Sequence, residues 1–263
     1  MTLDLDEVIS GWDCPPGELR ARLVTGRDGG ECLQLRIDLG VMQMALTDRP
    51  DGARCHGLPT TRACIEHELR VGGAGLTPEH WAELDRELLQ TNYRRMAYAA
   101  VADGALQEGN EAQARQCLAG ALADIETCLA TLRLLTAHSP QAQTAEHSPQ
   151  TQPYASLQPT LLFDRARLST QLRIVEGRFE EAIEYAEAGA AQLDELLAGL
   201  GCDEEQRAED GGLRYLRELG RQLRQEYGIT ETLAEQLSEA IANEDFETAA
   251  RLRDQLKRRP KPA

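Results

Sequence analysis

Positive charge, aromatic rings and long apolar runs are all scarce in this 263-residue chain. Lys and Arg together number 28 against 44 Asp and Glu, a formal net charge of −16. A field of that sign repels phosphate backbones and anionic membrane surfaces, so nucleic acid is left only a local basic patch. Aromatics make up 4% of the residues although hydrophobic residues reach 41%. The core therefore has to be built from Leu and Ala, which favours packed helices over broad sheets. No stretch approaches the roughly 18 apolar residues of a membrane span. The opening MTLDLDEVIS places acid where a secretory signal needs a basic segment. Seven cysteines (Cys14, Cys32, Cys55, Cys64, Cys117, Cys128 and Cys202) are odd in number and contain no C-x-x-C. Such a set fits reduced thiols in the cytoplasm better than a disulfide framework. G-x-x-x-x-G-K-[ST], H-E-x-x-H and the nucleophile elbow are absent as well. The expectation is a soluble, cytoplasmic, non-enzymatic protein with no cofactor.

What is present changes period along the chain. Leu19, Ala21 and Leu23 alternate with Arg20 and Arg22. After the turn residues Arg27-Asp28-Gly29-Gly30, Leu33, Leu35, Ile37 and Leu39 alternate with Gln34, Arg36 and Asp38. Gly40 interrupts, and Met42, Met44 and Leu46 resume before Asp48-Arg49-Pro50-Asp51-Gly52. Period two with such punctuation predicts a small antiparallel three-stranded meander within residues 1–58, which needs helices on its apolar face. From Thr77-Pro78, an N-cap followed by proline, the period becomes helical: Trp81, Leu84, Leu88, Leu89 and Tyr93 recur at three- and four-residue steps. Glu108-Gly109-Asn110 and Glu176-Gly177-Arg178 each divide a helical hairpin, and Arg94-Arg95 reads as helix surface. Two long helices joined by so short a loop pack antiparallel.

Residues 59–200 thus read as helical hairpins, interrupted at 137–156 by a low-complexity linker in which HSPQ occurs twice. Residues 201–212 read as an acidic linker. Residues 213–228 read as an amphipathic helix, with Leu213, Leu216, Leu219, Leu223 and Tyr227 apolar beside an arginine stripe, Arg214, Arg217, Arg221 and Arg224. That stripe reads as a solvated face offsetting the acidic stretch before it.

Residues 229–259 hold a helical hairpin too small for a core of its own. Thr230 is the expected N-cap. Leu233, Leu237, Ala240 and Ile241 line one helix; Asn243-Glu244-Asp245 turns and caps the next; Phe246, Ala249, Leu252 and Leu256 line the second. Phe246 and Leu252 are expected to hold the hairpin together, and Arg253 to pair with a glutamate of the facing helix. The pattern Leu233, Leu237, Ala240, Glu244-Asp245-Phe246-Glu247, Ala249-Ala250 and Leu252-Arg253-Asp254 resembles the UVR motif of UvrB and UvrC, also found in McsA and ClpC-type chaperone ATPases. The chain as a whole resembles UVR-motif-containing bacterial proteins. The stretch Gly177-Arg178-Phe179-Glu180-Glu181-Ala182 resembles the turn and second helix of a tetratricopeptide repeat, with a weaker echo at Gly109, Ala112 and Ala114. The UVR resemblance implies pairing with another UVR motif or a partner protein, and no catalysis. The P-loop of UvrB and ClpC and the C-x-x-C pairs of McsA are missing, so ATPase and repair activities do not follow.

The reading is an α+β, predominantly α-helical adaptor or scaffold. The residues expected to bind a protein partner, either another UVR-motif protein or a second copy, are Leu233, Leu237, Ala240, Ile241, Phe246, Ala249, Leu252, Arg253, Asp254 and Leu256. Two alternatives come from other classes. One is a nucleic-acid-associated accessory factor in DNA repair, against which the net charge argues. The other is a zinc protein centred on Cys55, His56, Cys64 and His67, which are ligand types within thirteen residues. Cys64 and His67 share a helix face, but Cys55 and His56 are adjacent and the spacing matches no standard finger. No metal is therefore expected.

Overall fold

Alternating Leu and Arg from Leu19 onward give β1 (Leu19–Thr25), β2 (Glu31–Ile37) and β3 (Gly40–Ala45). A computed structural model of the chain describes residues 6–37, 40–72, 75–139 and 156–259. The strands form an antiparallel sheet in the order β1-β2-β3. Leu23 sits opposite Leu33, Ala21 opposite Leu35, and Leu35 and Leu33 opposite Met42 and Met44, so one face is apolar. Leu33 and Leu35 are fully buried. The other face carries a polar ladder: Arg22 Nε donates to Gln34 Oε1 at 2.9 Å, and Gln34 Nε2 to Gln43 Oε1 at 3.0 Å. The short helix α1 (Asp6–Ile9) and Trp12 lie over it. Arg22 sits 4.1 Å from the Trp12 ring centre and donates to the Val8 carbonyl at 2.9 Å.

The remaining elements are helical. They are α2 (Thr61–Arg70), α3 (Pro78–Gln107), α4 (Glu111–His138), α5 (Leu157–Val175), α6 (Phe179–Gly199), α7 (Glu204–Glu209), α8 (Gly211–Tyr227), α9 (Leu233–Ala242) and α10 (Phe246–Arg258). The fold is α+β and predominantly helical. The chain divides into two compact units, residues 1–131 and 132–263, the boundary falling inside α4.

In the first unit α3 packs on β1 and β2 and against α2. Leu84, Leu88, Thr91, Arg95, Tyr98, Ala102 and Ala105 are all buried, a row of alternating four- and three-residue steps. Gly120 of α4 admits the Tyr98 ring; a Cβ there would lie 2.9 Å from it. Arg94 and Arg95, read from the sequence as surface, are 5% and 4% exposed. The Arg94 guanidinium donates to both carboxylate oxygens of Asp124 on α4, at 2.9 and 2.7 Å, and to the carbonyls of Ala45, the last residue of β3, and of Asp48 beyond it. Its charge is buried because four acceptors receive it. Arg49, 4% exposed, similarly meets Asp51, Glu83 and Thr61, while the Thr61 N–H donates to the buried Glu87 at 2.6 Å. These contacts fix the start of α2 against α3.

In the second unit α5, α6 and α8 pack around Ala166, Ala190, Leu193, Leu197, Leu213 and Leu216. Gly189 lets α6 approach α5, since a Cβ there would lie 2.1 Å from that of Ala166. A second cluster, Ala182, Ile183 and Leu223, is joined by Ile174, Leu219, Tyr227 and Ile229. The stretch read as an acidic linker contains α7. Asp203 and Gln206 form its capping box, and Asp210 accepts from the Leu213 N–H to start α8. Those acids act as helix caps, favoured at the positive end of each helix dipole. Gly228, at φ 64°, ends α8. The low-complexity stretch read at 137–156 lies outside the described residues from 140 to 155.

Candidate functional site

Helices α9 and α10 form the hairpin expected at 229–259. Its N-cap is Thr232, two residues later than the sequence reading placed it. The cause is a capping box: Thr232 Oγ1 accepts from the Glu235 N–H at 3.3 Å, and the Thr232 N–H donates to Glu235 Oε2 at 2.7 Å. Thr230 has leucine where its box would need a glutamate. That N–H, with the Arg224 guanidinium behind it, holds the Glu235 carboxyl below the usual carboxylate range. At the turn Glu244 adopts φ 56°, and Asp245 caps α10 by accepting from the Thr248 N–H at 3.1 Å.

The ten residues expected to bind a partner separate into groups. Ala240, Ala249 and Leu252 are the buried cluster of the hairpin, with Leu233 and Leu237 packed against it and Leu256 half-buried. Small alanines facing each other let the two backbones approach closely. Ile241 and Phe246 point outward, 56% and 72% exposed. The reading of Phe246 as a residue holding the hairpin together is therefore corrected: Leu252 does so with the two alanines. Arg253 pairs with its neighbour Asp254 at 3.4 Å, both side chains exposed, rather than with a glutamate of α9.

Polar contacts tie the hairpin to the rest of its unit. Arg259 donates to Glu180 and Glu184 of α6 at 2.7 and 2.8 Å. Arg224 of α8 donates to Glu187 at 2.8 Å and to Glu235 at 2.6 Å. The arginine stripe of α8 is largely committed to such pairs. Arg217 meets Asp194 at 3.2 Å, and Arg221 meets Glu218 at 2.5 Å.

The cysteine–histidine candidates lie in the first unit. Cys55 and His56 stand in a tight turn after the sheet, and Cys64 is buried on α2. His67, one turn further along α2, is not grouped with them. In its place the structure brings His80 from the first turn of α3. Burial, with the neighbouring Cys55 thiol behind it, pushes the Cys64 thiol up to about 12.

Residues 229–258 match the UvrB/uvrC motif family, UVR. No curated protein and no solved structure matches the chain.

Proposed function

We infer that this UVR-motif chain is a non-enzymatic adaptor that engages a protein partner through α9 and α10, the preferred partner being another UVR hairpin. The observation that carries this reading is the outward position of Ile241 and Phe246. Both lie at the turn end of a hairpin that satisfies its own small core without them. A large aromatic that is 72% exposed lies outside the hairpin's buried cluster, and it is the kind of anchor that dominates protein interfaces. The UVR motif is known in DNA-repair proteins and mediates protein interactions, which agrees with a surface of this kind. Direct binding to nucleic acid is disfavoured: the net charge is −16, and Arg217, Arg221 and Arg224 already have carboxylate partners.

Phe246→Ser tests the reading, because the side chain is absent from the hairpin's buried cluster. The variant should keep the wild-type circular dichroism and melting temperature. It should weaken self-association, or association with a separate UVR hairpin, by about 2 kcal/mol or more, close to 30-fold. Sedimentation and titration calorimetry read the effect. Unchanged association in the folded variant would place recognition elsewhere on the chain.

A further inference from the structure

The side chains of Cys55, His56, Cys64 and His80 turn their ligand atoms toward one point, all within 4.8 Å of one another. Three separate segments deliver them. Cys55 and His56 belong to a two-residue turn closed by paired backbone bonds between Cys55 and Leu58, at 3.1 and 2.9 Å. His56 and Gly57 occupy the turn at φ 48° and 81°, the doubly left-handed geometry of a type I′ turn. Asn, Asp or Gly normally fill its first position; a histidine there bears a conformational cost, and such residues gather at functional sites. The conformation also answers the objection that adjacent residues cannot share an ion. In extended chain their side chains would diverge to opposite faces, whereas the left-handed turn brings both to the same side. Cys64 comes from α2, 2% exposed, and His80 from the first turn of α3.

The separation of the two histidines is that of ligands on one tetrahedral ion. His56 Nε2 and His80 Nε2 are 3.3 Å apart. Two imidazole nitrogens bound at about 2.0–2.1 Å on a tetrahedral ion are separated by about 3.3 Å. The His80 ring is held from its other nitrogen: Nδ1 accepts from the Thr77 N–H at 3.2 Å and lies 3.1 Å from Thr77 Oγ1. Two thiolates and two neutral imidazoles balance a divalent charge, and this donor set selects zinc over the harder cations.

The geometry points to a structural zinc site formed by Cys55, His56, Cys64 and His80. Four protein ligands leave no open position for substrate or water, so the ion is a staple and performs no chemistry. It would join the turn at 55–58, α2 and the start of α3.

Full-length protein purified without an affinity tag and under reducing conditions tests this by elemental analysis, with Cys55→Ser, His80→Gln and His67→Ala in parallel. The first two change accessible ligands and spare the buried Cys64. Equimolar zinc is expected in the wild type and in His67→Ala, with loss from the other two. Cobalt-substituted wild type should show the intense visible bands of a tetrahedral site and thiolate-to-cobalt charge transfer. A strong chelator should lower the melting temperature of the wild type and leave that of His80→Gln unchanged. A wild type free of zinc, a Cys55–Cys64 disulfide recovered in place of the metal, or zinc lost from His67→Ala but retained by His80→Gln would each overturn the assignment.

Discussion

Arg94 joins three parts of its unit through one guanidinium: α3, which carries it, α4 through Asp124, and the end of β3 with the turn after it through two carbonyls. Both members of the pair are about 5% exposed at their side chains. Removing one partner of such a pair leaves a charge buried and unpaired, which costs about 3–5 kcal/mol, more than the pair itself contributes. Asp124→Ala should therefore move the urea midpoint of the first unit sharply downward. Arg94→Met combined with Asp124→Leu should recover part of the loss by replacing the pair with apolar volume. An Asp124→Ala variant that unfolds at the wild-type urea concentration would show that the pair does not hold the helices together. The sequence contained a partial signal. Arg95 falls within the row of four- and three-residue steps from Leu84 to Ala105, a position polar residues avoid unless buried with a partner. Nothing marked Asp124 as that partner's location for Arg94, because the pairing depends on the register of α4 against α3. His80 was hidden for the same kind of reason. It stands sixteen residues beyond Cys64 and joins the group only because α2 packs against α3. His67, chosen by local spacing, follows helix geometry but not tertiary geometry.

At the scale of elements, local chemistry was legible almost throughout. Period-two alternation placed the three strands within about two residues, and Gly109, Gly177 and Gly228 stand at helix ends with φ of 73°, 71° and 64°. Turns and caps depend on neighbours in sequence, so a sequence can show them. The exceptions are α7, read as an acidic linker, the start of α9, and the face that Phe246 presents. Phe246 was read inward because aromatics usually are, but the short α10 buries only Ala249 and Leu252, and its first residue lies off that stripe. The start of α9 was misplaced because Thr230 and Thr232 are both competent caps and only the latter has Glu235 three residues on. That box makes a prediction at this scale. Thr232 is 1% exposed and satisfies the Glu235 N–H, so Thr232→Ala should destabilise the hairpin by about 0.5–2 kcal/mol. Hydrogen exchange of the α9 and α10 amides should quicken accordingly while α5 and α6 keep wild-type protection. Equal acceleration in α5 and α6 would mean that hairpin and helices unfold as one unit.

At the scale of the molecule, the relation of the hairpin to the rest of its unit decides whether it is a detachable recognition element or a structural cap. Its buried cluster, Ala240, Ala249 and Leu252, includes no residue of α5, α6 or α8. The ties that cross over are ion pairs from Arg259 to Glu180 and Glu184 and from Arg224 to Glu235. Their carboxylate side chains are 26–46% exposed, and pairs of that kind typically contribute no more than about 1 kcal/mol each. Ile229 is different: it packs with Ile183 and Leu223, and the Thr230 carbonyl accepts from Arg224 at 2.8 Å. A truncation that tests the hairpin alone must therefore end after Thr230. Such a protein should lose only the helical signal of α9 and α10, keep its melting temperature within a few degrees, and lose the association that Phe246→Ser also weakens. Collapse of the truncated chain would make the hairpin a cap on α6 and α8. A folded truncation that keeps its association would move recognition to the helices before it.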